Sequence, residues 1–242
     1  LARWLQVLIQ SLLSGYGIMI DQMNQTRLSD YQPTYQKEAY FAEAAYQLRE
    51  FVMTKRYILS EITASTVNED GPARAEVEGF IRAVFKRAYN AEITIFMPQL
   101  VALRDSNGVL MAAFGWKKAS DGPLFLEQYL DEPIESLISN TLHKNITRDQ
   151  ITKIGNLAVA NPRNAGILIS HVIQHSLDMG IEWCVATAHH SLQNGVVKAG
   201  RDVYPLFNAD KTRLSQEEQA KWGTYYKHMP QVVAIRGIAE AI

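Results

Sequence analysis

Apolar positions recur along this chain with two different periods, and the change from one to the other divides it. Over the first twenty residues Trp4, Leu5, Leu8, Ile9 and Leu12 fall at helical spacing, interrupted by Arg3, Gln6, Gln10 and Ser11. This predicts an amphipathic helix, suited to a partner or membrane surface or packed on its own domain. It is too broken to span a bilayer, which takes about 20 predominantly apolar residues. A second helical pattern runs from Lys37 to Ile62, with Tyr40, Ala44, Leu48, Phe51 and Val52 on one side. The polar, Tyr- and Gln-rich stretch between the two reads as a linker or extended arm. Asn68 to Pro72, "NEDGP", is turn chemistry. It places a boundary between an N-terminal helical extension, residues 1–70, and a second domain, residues 71–242.

After that boundary helical and strand patterns alternate. Val77, Phe80, Ile81, Val84 and Phe85 make one face of a helix over Glu76 to Ala88. "ITIFMPQLVALRD" predicts a strand broken at Pro98 and a second strand from Leu100. "DSNG" is a hairpin turn, and "VLMAAFGW" returns as the next strand. "PLFLEQYL", from Pro123, predicts a further short strand. Pro133 opens a helix carrying Ile134, Leu137 and Ile138, since proline suits a first turn. "KIGNLAVA" from Lys153 is a strand, followed by the loop "NPRNAG", a helix, and the strand Trp183 to Ala188. A short helix over Leu192 to Lys198 and strands at Tyr204 to Phe207 and Gln231 to Ile235 complete the pattern. The expected fold is α/β (α+β), a mixed central sheet flanked by helices.

Composition narrows the function classes. The chain has 242 residues, 47% of them hydrophobic, and a net charge of −1 without a basic block. Nucleic-acid binding needs clustered Lys and Arg and is not expected. One cysteine, Cys184, excludes an intrachain disulfide and a cysteine-based zinc cluster, and its apolar run suits a buried inert thiol. No histidine spacing suggests a metal site, and no metal is expected.

The loop between the strand and the helix carries the first chemistry. A helix start exposes backbone N–H groups and partial positive charge, and small residues let a phosphate approach them. Arg163, Asn164, Ala165 and Gly166 fit that description, although a plain connection between strand and helix fits them too.

A hairpin of strands, then strand, anion-binding loop, helix and strand, is the order found in the GNAT acyltransferases. "GNLA", "LFLEQYLDEPIE", "FMPQLVAL" and "WGTYYKHMPQVVA" further resemble the thermostable hemolysin family, from about Arg74 to Ile238. The resemblance implies a GNAT-like fold of the kind shared with autoinducer synthases and N-acyl amino acid synthases. It also implies an acyl donor, acyl-CoA or acyl carrier protein, and a small amine acceptor. The thioester would lie along the strand through Leu157, Ala158 and Val159, with a pyrophosphate at Arg163, Asn164, Ala165 and Gly166. A cytoplasmic location is expected, and the amphipathic pattern of residues 1–20 leaves open a peripheral membrane contact. Two other readings stand beside it: a membrane-active hemolysin, and a GNAT-like binding module without catalysis.

Three residues are the catalytic candidates. Glu127 interrupts an apolar stretch, where desolvation would raise its pKa and suit it to accept a proton from an amine. The solvent side of a half-buried strand would also explain it. Asn156 could hold a substrate carbonyl, or be a bulge residue tied to backbone. Asn194 stands near the start of the short helix, where the resemblance to GNAT proteins implies an asparagine close to the departing thiol, and N-capping would explain it as well. His189 and His190 end a strand, where ligand sites of open sheets fall. Surface exposure is the expectation for both. Trp222, Tyr225 and Tyr226 would line a pocket or pack the edge of the core. Three positions depart from the pattern the resemblance implies. Lys153 stands where an acidic residue is expected, and Lys117 and Gln193 stand where arginines are. Neither lysine nor glutamine reproduces arginine's bidentate grip.

Overall fold

A meander of antiparallel strands begins the domain, and its first member precedes the "NEDGP" turn. The computed structural model describes residues 62–237. The helical readings over residues 1–20 and 37–61, and the linker between them, lie outside the described residues. Strand β1, Thr63–Val67, pairs antiparallel with β2, Gln99–Arg104, which pairs with β3, Leu110–Lys118. Asp105 closes the β2–β3 hairpin by accepting the N–H groups of Asn107 and Val109 on its carboxylate. Gly108 there adopts φ +79°, which glycine reaches without a Cβ clash. Between β1 and β2 lies helix α1, Arg74–Tyr89.

The sheet continues through β4, Ile151–Val159, antiparallel to β3, and β5, Trp183–Ala188, parallel to β4. Helix α2, Ile134–Leu142, precedes β4. Helix α3, Ala165–Asp178, makes the crossover to β5, and α4, His190–Lys198, follows it. Then come β6, Val203–Asn208, the short helix α5, Gln216–Lys221, and β7, Gln231–Arg236. The last strand inserts between β5 and β6, giving the order β1-β2-β3-β4-β5-β7-β6. This is the expected α+β fold: a mixed sheet with helices on both faces.

The stripe Val77, Ile81 and Phe85 of α1, four residues apart, is buried against Leu100, Ala102, Ala113 and Ala158. On the same face Ile134 and Ile138 of α2 pack on Ile151, Val185, Val232 and Ala234. The opposite face carries α3, where Leu168 meets Val101, Leu103 and Phe114, and α4, where Val196 meets Ile169 and Ile173.

Two expected strands are absent. Residues 93–97 form no strand. The stretch Phe125–Tyr129 is a 3-10 turn rather than a strand. Leu126 and Tyr129, three apart, are its buried positions, which is the 3-10 period, and Glu127 bends back onto the N–H of Leu124.

Candidate functional site

β4 and β5 pair only from Ile151–Trp183 to Lys153–Val185, and beyond that the strands part. The parting opens a groove of about 490 Å³ on the α1 face of the sheet. Lys153 to Leu157 of β4 line one side, and Thr187 and His189 at the end of β5 line the other. Phe85 and Tyr89 of α1, with Trp222 and Tyr225, supply an aromatic wall. Tyr225 meets Tyr89 edge-on at 5.2 Å and donates its hydroxyl to the Thr187 carbonyl at 3.1 Å. Two members of the aromatic trio thus face the groove, while Tyr226 packs on the core beside Tyr129, hydroxyl to hydroxyl.

Asn156 lines the groove and also shapes it. Gly115 opposes Gly155 and Ala113 opposes Ala158, so Asn156 and Leu157 together oppose Phe114 in a β-bulge. Asn156 sits at φ +50°, a left-handed conformation that asparagine tolerates better than most residues. Its Oδ1 accepts the N–H of Met97 at 2.8 Å and its Nδ2 donates to the Ile95 carbonyl at 3.3 Å. One side chain thereby does for residues 93–97 what a strand partner would have done. One lone pair and one N–H of the amide are thus tied to backbone, as the bulge alternative expects, and its second N–H is not engaged by either bond.

Glu127 is held from several sides. Its carboxylate takes Arg148 Nη1 at 2.7 Å and Nη2 at 2.8 Å, and the N–H groups of Leu124 at 2.7 Å and Ile134 at 3.4 Å. Burial alone would raise its pKa, as expected from the sequence, but Arg148 and the two backbone donors outweigh it and the net shift is downward. A carboxylate so held remains ionised and has no free lone pair aimed at the groove, which it does not line. Arg148 is the residue the sequence did not reveal. It also binds Glu135 and the carbonyls of Ala119 and Gly122, so one guanidinium fastens the whole segment from 119 to 135 to β4.

His189 and Tyr89 meet across the mouth of the groove. Leu192 N–H donates to His189 Nδ1 at 3.4 Å, and Ser191 Oγ lies 2.7 Å from the same atom. A backbone N–H can only donate, so Nδ1 is an acceptor and the ring proton sits on Nε2. Nε2 is 3.3 Å from the Tyr89 hydroxyl. The imidazole therefore donates to the phenolic oxygen and leaves the phenolic hydrogen for the groove. Burial lowers the pKa of His189, helped by His228 and His190, and keeps the ring neutral; burial raises that of Tyr89. Half-buried His189 thus departs from the exposure expected of it, whereas His190 is exposed.

The remaining candidates are spread out. Leu157 lines the groove; Ala158 is buried beneath α1 and Val159 is half-buried. Arg163 and Asn164 lie in the 3-10 turn Pro162–Asn164 that leads into α3, and Ala165 and Gly166 begin the helix. A Cβ added at Gly166 would meet nothing within 4 Å. The turn follows the groove-lining part of β4 but does not line the groove itself. Asn194 is exposed in the middle of α4, whose cap is His189, so it neither caps nor reaches the groove. Gln193 is buried and donates to the Ala188 carbonyl, joining α4 to the sheet. Cys184 is buried with its pKa pushed up by burial to about 11, an unreactive thiol as expected.

Lys117 and Lys153 are direct cross-strand partners, and both line the groove. Lys153 is 8% exposed, and burial first, Lys117 second, lower its pKa to about 7. Among the described residues no cluster of side chains could hold a metal ion, and no helix is long and apolar enough to cross a membrane.

The sequence profile of the thermostable hemolysins matches residues 67–240. Among solved structures the chain is similar to the AHL synthase LasI, at 11% identity and TM-score 0.49, over 74% of this chain and 91% of that one. It is also similar to BjaI, a CoA-dependent acyl-homoserine lactone synthase, at 12% identity and TM-score 0.49, over 74% and 85%. The N-acyl amino acid synthase FeeM, from uncultured soil microbes, matches at 11% identity and TM-score 0.44, over 72% and 88%. No curated protein sequence matches the chain.

Proposed function

The chain belongs to the thermostable hemolysin family, and from that premise we propose that it is a GNAT-type acyltransferase that moves an acyl group from a thioester to an amine. The observation that carries this reading is the parting of β4 from β5 beyond Lys153 and Val185. Backbone groups of β4 that β5 does not engage can pair with an extended thioester arm, and a β4 N–H can stabilise the oxyanion as the carbonyl is attacked. The donor, acyl-CoA or acyl carrier protein, lies along β4 toward Leu157, with any pyrophosphate at the start of α3 near Asn164 to Gly166.

In the reaction the amine nitrogen bonds to the thioester carbon and the carbon–sulfur bond breaks. The amine's proton leaves to water, the departing thiolate takes one from Tyr89, whose oxygen is held by His189, and the phenolate regains a proton from water. The products are an amide and a free thiol. Asn156 and Glu127 take no proton; they hold the groove's walls. Release of free thiol from octanoyl-CoA or octanoyl acyl carrier protein, dependent on an added amine, tests the reading. Thioester binding without amine-dependent release would make the protein a binding module. Leakage of lipid vesicles with neither would favour a membrane-active hemolysin.

A further inference from the structure

We infer that Lys153 and Lys117 form an anion subsite that holds the carboxylate of the amine acceptor, so that the acceptor is an amino acid or a similar aminocarboxylate. This rests on the acyl-transfer reading of the same groove. Residues directly opposed on antiparallel strands share a face, and these two stand side by side at the point where the groove begins.

A second positive charge this close calls for a countercharge, and among the described residues no carboxylate bonds to either lysine. Lys153 is more than nine-tenths buried, and its ammonium lies over the ring of Phe125, at 5.3 Å, with no hydrogen bond to a carboxylate among the described residues. Lys117 gives one N–H to the Pro123 carbonyl at 3.0 Å and keeps two more donors. Glu127, the carboxylate whose charge reaches Lys153, is committed to Arg148. The other titratable groups lining the groove are Glu69, Tyr89, Tyr129, His189 and Tyr225. None of them is within hydrogen-bonding distance of either lysine. A ligand carboxylate would supply the negative charge that these residues do not.

Position assigns that charge to the acceptor rather than to the donor. From Lys153 to Val159 β4 advances six residues, about 20 Å at strand spacing. The start of α3, assigned to the donor's phosphates, lies beyond that far end. An aminocarboxylate anchored at the lysines instead presents its nitrogen at the gap between the strands.

Anion binding also has a pH signature. With its pKa lowered to about 7, Lys153 is largely neutral above that pH and must take up a proton to hold a carboxylate. Carboxylate affinity is therefore greatest below about 7 and falls as pH rises.

The test uses the full chain with octanoyl-CoA and a panel of amino acids, each paired with its own carboxamide. Turnover and donor-free calorimetric titration are measured from pH 6 to 9. The acids should be preferred over their amides in KM and Kd by about ten- to a hundredfold, the range for charged hydrogen bonds. That ratio should shrink above about pH 7 and collapse toward one in Lys153→Met, with thermal unfolding confirming that the variant is folded. Equal binding of acids and amides by the unmodified protein overturns the inference. So does a Lys153→Met variant that lowers kcat equally for both and loses a rising limb near pH 7, which would make the lysine a base. Turnover without acid preference leaves acyl transfer standing and removes the subsite. Lysine-dependent binding of acids without any turnover does the reverse.

Discussion

A carboxylate placed among apolar residues either loses its charge or finds a cation, and the sequence around Glu127 does not say which. Arg148 lies 21 residues away in the chain, and its approach depends on the turn that brings the segment 119–135 over β4. The pKa direction expected from burial alone was therefore reversed. Glu127→Gln should destabilise the fold by about 1–3 kcal/mol, since it leaves a partly buried guanidinium short of its charge. Because the folded pKa lies below the ordinary value, the native carboxylate contributes fully above about pH 4.3 and loses its contribution as pH falls below that. Urea titrations at pH 3 and pH 7 should show the gap between the two proteins closing in acid. Tyr89 was legible only as the next step of the stripe Val77, Ile81, Phe85; nothing marked it as chemical. Tyr89→Phe should slow amide formation by about 10², the low end for losing acid–base help because a thiolate leaves readily, with donor affinity retained. Single-turnover thiol release and donor titration separate these two effects.

At the scale of elements, periodicity served well where one element packs on one face. The helices α1, α2 and α3 and the strands β2 to β5 and β7 stand close to their expected places. It failed where a side chain replaces a ladder. Residues 93–97 have strand composition, but their partner is the Asn156 amide, and no pattern within "ITIF" could reveal that. "PLFLEQYL" has strand composition too, yet its buried residues recur every third position. The lysine pair depends on the register of β3 against β4, which the bulge at Asn156 and Leu157 offsets by one residue. The start of α3 was legible as a turn and helix, and its proposed role is testable there. Gly166→Val enters open space, so the fold should keep its melting temperature. Affinity for a CoA thioester should fall by about tenfold or more as the side chain covers the helix start. Unchanged affinity by calorimetry would take the turn out of the donor site.

At the scale of the whole molecule, residues from Ile62 onward form a unit with its own cores, and β1 belongs to it despite preceding the turn at residues 68–72. A chain lacking residues 1–61 should therefore fold, with a cooperative thermal transition and native-like circular dichroism. Removing residues 1–70 instead also deletes β1 and bares the edge of β2, which should lower the melting temperature further or cause aggregation. The placement of β7 bears on how such a protein is made. β5 and β6 do not touch each other in the sheet; each waits for the strand that comes last among those described. On the ribosome β5 emerges with one edge bare and β6 with both, and the β5 wall of the groove lacks its support until residue 236 has been translated. Until then the nascent chain presents unpaired strand edges for chaperones or for neighbouring chains to bind. A chain cut short before Gln231 would leave those edges bare and should be cleared by proteolysis.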